Sequence, residues 1–137
     1  MKKIHWFTVL IVIALTGCTK DPGEGGNSSI KGVLEKEIRI VLSNPATYQF
    51  TVPAADEDMY IVYGDHLSPD DRIATNYNGE YEFLNLRKGK YTIYVYSKDT
   101  TCLSGVDPDR MVIKHEVEIT EKNQEISVPL LTIYDVP

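Results

Sequence analysis

Several groups of side chains in this sequence have types and spacings that could do chemistry. His66 stands beside Asp65, Asp70 and Asp71, an imidazole and three carboxylates that could hold a hard cation. Asp56, Glu57 and Asp58 form a second acidic cluster, and Asp107 and Asp109 a third. None has the spacing of a calcium-binding loop, so a hydrated acidic surface is the simpler reading, with a cation or small-ligand site as the alternative. His115 falls on the apolar face of an alternating stretch, where a hydrogen-bonded core or rim imidazole is simpler than a ligand. No G-x-S-x-G and no H-E-x-x-H occurs. We therefore expect no catalytic residues, no metal and no cofactor.

A different kind of site is suggested by tyrosine. In the stretch Tyr91-Thr92-Ile93-Tyr94-Val95-Tyr96, inward Tyr91, Ile93 and Val95 leave Tyr94 and Tyr96 outward on the same strand, and Tyr60 is a candidate to join them. Exposed tyrosine presents a flat apolar body with a polar tip, suited to a protein or sugar partner. The competing reading is an exposed strand that uses tyrosine for its β propensity.

The elements that must position these residues repeat with period two. Ile113, Val117 and Ile119 fall on one face of a stretch whose other face carries Lys114, Glu116, Glu118 and Thr120, the pattern of a half-buried antiparallel strand. Tyr48 to Val52 alternates likewise, whereas Met59 to Tyr63 is apolar throughout, as a strand covered on both faces would be. Turn chemistry separates the runs: Asn44-Pro45, Pro53, the acidic loop after Gly64, Asn78-Gly79 as a type I′ hairpin signal, Arg87-Lys88-Gly89, and residues 121–124. No run of ten residues holds a helical period. The expected fold is all-β, a Greek-key sandwich of seven or eight strands.

The chain has 137 residues, with 14 Lys and Arg against 20 Asp and Glu. Lys2 and Lys3 precede a twelve-residue, mostly apolar run from Ile4 to Leu15. As a helix that run would cover roughly 18 Å, short of the ~30 Å hydrocarbon core, so it reads as an export segment. The junction Leu15-Thr16-Gly17-Cys18 resembles the bacterial lipobox. That resemblance implies removal of residues 1–17 and acylation of Cys18, giving a membrane partner through a lipid anchor. Cys102 then has no disulfide partner and is expected either as a small buried hydrophobe or as a free thiol. Cleavage leaves 120 residues with 12 basic side chains against 20 acidic ones. Such a balance lacks the basic field that nucleic acid requires. Residues 18–29 are rich in Gly, Ser and Asn and read as a flexible tether, leaving 30–137 as the folded domain. Lys20-Asp21 resembles export signals on surface lipoproteins of the Bacteroidetes, so the expected location is the cell envelope, an outer-membrane lipoprotein with surface exposure.

Residues 75–93, with Thr75, Gly79, Tyr81, Phe83, Leu86, Gly89, Tyr91 and Ile93, match T-x-x-x-G-x-Y-x-F-x-x-L-x-x-G-x-Y-x-[VI]. This resembles carboxypeptidase regulatory-like and collagen-adhesin B-type domains, and Ser29-Ile30-Lys31-Gly32 resembles their opening strand. The resemblance implies a transthyretin-like sandwich but no reaction. Some of its members form an internal isopeptide bond, and Lys31 and Asp135 could imitate the reacting pair. The acid that would move the protons is missing, because its position holds Val95. Counting strands from Ile30 puts the loops near Asn44, 65–71, Arg87-Lys88 and Lys122 at one end. The 56–58 loop, the Asn78-Gly79 turn, the 98–110 loop and both termini fall at the other. The tether then leaves Arg87 and Lys88 pointing outward. Together with Tyr60, Tyr94 and Tyr96 they are the expected contacts for an envelope protein or carbohydrate. The reading is a non-catalytic, lipid-anchored binding or spacing module.

Overall fold

Alternation of β-branched and aromatic residues is realised as strand almost everywhere. The computed structural model describes residues 20–41, 47–98 and 110–135, and among these there is no helix. Cys18, Cys102, Asp107 and Asp109 lie outside the described residues. Nine strands follow in chain order: β1 (Glu24–Val41), β2 (Thr47–Pro53), β3 (Asp58–Tyr63), β4 (Asp71–Ala74), β5 (Glu80–Leu86), β6 (Gly89–Lys98), β7 (Arg110–Ile119), β8 (Glu125–Ser127) and β9 (Leu131–Asp135). They form two sheets. One has the order β4-β3-β6-β7; the other is organised around β1, which pairs with β2, β5, β8 and β9. The expected all-β sandwich is the fold.

Between the sheets lies one apolar core. From β6 come Tyr91, Ile93 and Val95, from β3 Met59 and Ile61, from β5 Tyr81, Phe83 and Leu86, and from β1 Ile30 and Leu34, all buried. The inward assignments for β6 thus hold residue by residue. In β3 one expectation changes: Tyr60 and Val62 are only half-buried, so the outer face of this central strand is not covered by a further layer. The ninth strand arises at Val128-Pro129-Leu130. Proline cannot donate to the ladder, so the last run divides into β8 and β9, both parallel to β1.

The largest departure concerns the glycine-rich segment expected as tether up to Ser29. Strand β1 begins at Glu24, six residues before the expected start, and pairs there with the end of β5. Glycine at 26 serves close approach here: a Cβ at that position would collide with the Leu86 carbonyl oxygen. Arg87 N–H donates to the Gly23 carbonyl at 2.8 Å, and Gly23 N–H donates to the Tyr91 phenol oxygen at 3.0 Å. Tyr91 in turn donates to the Arg87 carbonyl at 2.7 Å, so one buried hydroxyl ties the arm to the β5–β6 turn.

This early start overturns the expected sorting of the ends. β1 enters beside Leu86 and Arg87, passes Gly79 and Ala54 at Leu34, and continues past them to pair Ile38 with Asp135 and Val41 with Thr47. Its eighteen residues span roughly 55–60 Å of contour, longer than any partner, which is why two sets of strands share it. The amino-terminal arm therefore enters at the end that carries Gly64, Arg87 and Gly89. The end of β9 sits at the opposite one, near Lys98.

The Asn78-Gly79 turn also differs from expectation. Only Gly79 has positive φ, at 73°, so the turn is not type I′. Asn76 accepts from the Asn78 and Glu80 N–H groups through Oδ1, and the turn carries the chain from β4 in one sheet to β5 in the other.

Candidate functional site

Register brings the three tyrosines together. Tyr60 of β3 lies directly opposite Tyr94 of β6, and Tyr96 follows two residues on, on the same outward face. The Tyr60 and Tyr94 rings stack, with centroids 5.0 Å apart and planes 13° from parallel. Tyr96 meets both edge-on, at 5.6 Å from each centroid. Such ring pairs contribute about 0.5–1.5 kcal/mol each beyond the area they bury, so the cluster is held before any ligand arrives. Burial, and then the hydrogen bond with Tyr96, raise the Tyr94 phenol above its ordinary value. It stays protonated and can donate at neutral pH.

Charged groups flank the rings. Arg72 of β4 is the register partner of Tyr60, and its Nη1 donates to Asp58 Oδ2 at 2.9 Å. Asp58 first, and the hydrogen bond with Tyr60 second, push the guanidinium further up. On the other side Lys114 lies opposite Tyr94, and exposed Val112 opposite Tyr96. A cleft of about 350 Å³ opens beside Tyr60 and Tyr96, bordered by Lys36, Lys98, Arg110, Tyr134 and Asp135. Its charges pair internally, Lys36 with Glu57 and Lys98 with Asp135, while Arg39 stands 5.2 Å over the Tyr134 ring. The surface offers flat apolar rings rimmed by hydroxyl, carboxylate and guanidinium groups. That combination can hold the C–H face of a ring and exchange hydrogen bonds with its hydroxyls.

The other candidate residues fall elsewhere. Arg87 and Lys88 sit at the β5–β6 turn, and at about 3.3 Å per residue Lys88 is some 20 Å from Tyr94 along β6. They do not join the tyrosines, and they lie at the end where the amino-terminal arm enters. In the acidic loop, Asp70 is used within the fold: Oδ2 accepts from Tyr63 N–H at 2.7 Å and Oδ1 meets His66 Nδ1 at 2.7 Å. Among the described residues no three His, Cys, Asp or Glu side chains are grouped to hold a metal. Lys31 pairs with Glu125 and Asp135 with Lys98, so the two residues that could imitate an isopeptide pair are not brought together. His115 is half-buried, opposite Ile93 in the register.

Asp58, Arg72 and the cleft beyond Tyr96 had no signal in the sequence as part of this surface. Strand alternation could place Tyr94 and Tyr96 on one face, but only the pairing register of β3 with β4 and β6 adds the neighbours.

No family model matches the chain, and no curated protein matches it. Among solved structures the chain is similar to a crystal structure of a proposed carbohydrate-binding protein from Pseudomonas aeruginosa. The identity is 15%, the TM-score 0.43, and the match covers 84% of this chain and 92% of the other.

Proposed function

We propose that this protein is a non-catalytic, lipid-anchored envelope module that binds a carbohydrate through the Tyr60, Tyr94 and Tyr96 surface. The observation that carries the reading is the packing of those three rings on an outward sheet face, with Arg72 and Asp58 at their edge. Stacked and edge-on aromatic rings lose little conformational entropy on binding and accept the apolar face of a sugar. The neighbouring charges supply donors and acceptors for its hydroxyl groups. On this reading the domain is of the carboxypeptidase regulatory-like kind that residues 75–93 resemble, and Cys18 carries the anchor in the outer membrane.

The test is titration calorimetry of the purified chain against a panel of oligosaccharides, with calcium chloride in a separate arm. A sugar should bind, and Tyr94→Ala or Tyr96→Ala should weaken it at least tenfold, as loss of an aromatic anchor at a binding site does. Binding that survives both substitutions, or heat from calcium alone, overturns the reading. Intact mass of the native protein tests the anchor separately.

A further inference from the structure

The groove between the amino-terminal arm and the β5–β6 turn differs in charge from the rest of the molecule. It encloses about 960 Å³ and is bordered by Lys20, Arg87, Lys88 and Lys122 against Asp21 and Glu118. Four cations and two anions line it, in a chain whose charged residues otherwise favour acid. Arg87 lies over the arm at Gly25, and its buried Nε has no hydrogen-bond partner among the described residues. A guanidinium is a forked donor, and a phosphate oxygen is the strongest acceptor a fork of this kind meets.

Geometry says which phosphate. Pro22 is seated against Gly64 and Gly89, at the same end as the groove. It lies four positions after Cys18, so about 14 Å is the farthest apart the chain allows them to be, however it runs. A headgroup layer is itself roughly 5–8 Å thick. We propose that this groove receives phosphate of anionic lipid headgroups, so that the domain stands on the bilayer by its Arg87 and Lys88 end. The Tyr60, Tyr94 and Tyr96 face is then presented away from the surface. The proposal rests on acylation of Cys18, which was inferred above.

The native acylated protein, reconstituted in vesicles, tests it by amine labelling of every lysine read by peptide mass spectrometry. One set of vesicles is phosphatidylcholine alone, and a second contains phosphatidylglycerol. A third arm uses detergent micelles with excess inorganic phosphate. Lys88 and Lys122 should label about fivefold more slowly on phosphatidylglycerol vesicles, the factor expected for a cation held at an anionic surface, while Lys31 and Lys114 stay unchanged. Lys122→Glu should abolish the protection of Lys88. Equal protection on both kinds of vesicle, the same protection from free phosphate, or protection of Lys114 instead would each overturn the proposal. A native Cys18 without acyl mass would instead remove the anchor on which it rests, and the two failures are distinct.

Discussion

Replacing Tyr91 with Phe should release the amino-terminal arm without disturbing the core. The ring is 1% exposed and packs edge-on against Tyr63 at 5.7 Å, contacts that Phe retains. What disappears is one oxygen, which accepts from Gly23 N–H at 3.0 Å and donates to the Arg87 carbonyl at 2.7 Å. Gly23 is itself buried, so its N–H has no immediate access to water once the phenol is gone. A buried backbone group left unpaired costs about 1–3 kcal/mol. If the arm lifts far enough to let water in, that cost falls towards its lower bound. The expected loss is therefore about 1–3 kcal/mol, or roughly 5–15 °C in melting temperature for a domain of this size. Urea denaturation gives the energy, and amide hydrogen exchange says where it resides. Protection of Gly23 and the first residues of β1 should fall more than that of Ile93 and Val95. A variant with unchanged urea midpoint and unchanged Gly23 protection would refute the claim that this hydroxyl holds the arm.

Gly79→Ala should cost roughly 2–4 kcal/mol, because φ is 73° and a Cβ there collides with the Leu34 carbonyl oxygen; a loss below about 1 kcal/mol in chemical denaturation would contradict it. Alkali should destabilise the fold. Burial pushes the Tyr81 phenol up to about 12, and burial, followed by Glu24, does the same to Tyr63. An unfolded tyrosine releases its proton near 10, so between about 10 and 12 the folded chain binds more protons than the unfolded one, and stability must fall as pH rises. Below about pH 10 the contribution is fully present. The slope should approach about 1.4 kcal/mol per pH unit from Tyr81, and Tyr81→Phe should flatten it. Urea midpoints followed with pH, together with tyrosinate absorbance, check this; a curve unchanged through about pH 11 is the contrary result.

Much of the fold was legible because burial on one face of a strand writes itself into the sequence at period two. Tyr81, Phe83, Tyr91, Ile93 and Val95 all turn inward as their alternation requires. Leu86 is an instructive continuation. It keeps an inward position although two residues, Leu84 and Asn85, precede it on the outside, because Asn85 takes φ of 58° and shifts the strand by one. What alternation does not encode is the partner of each strand. The sheet assignment of β4 and β5, adjacent in sequence but in different sheets, and the double use of β1 both depend on contacts far along the chain. The candidate site divides in the same way. Tyr94 and Tyr96 follow from one strand, whereas Arg72 and Asp58 follow only from register.

Glycine makes the deeper difficulty plain. Composition alone reads Gly23, Gly25 and Gly26 as chain that cannot offset its ordering entropy, which predicts a tether. The same residues are also what a strand needs when another backbone must come close, and Leu86 and Arg87 do come close to Gly26. The two meanings of glycine differ only in what lies opposite, and here that is a turn sixty residues away, closed by the hydroxyl of Tyr91. The consequence reaches function. A flexible tether would leave the body free to turn in any direction, but an arm fixed at Gly23 sets one end of the sandwich towards whatever holds the amino terminus. Under the proposed acylation of Cys18, the tyrosine face, on the outer side of β3 and β6, would owe its direction in space to that attachment.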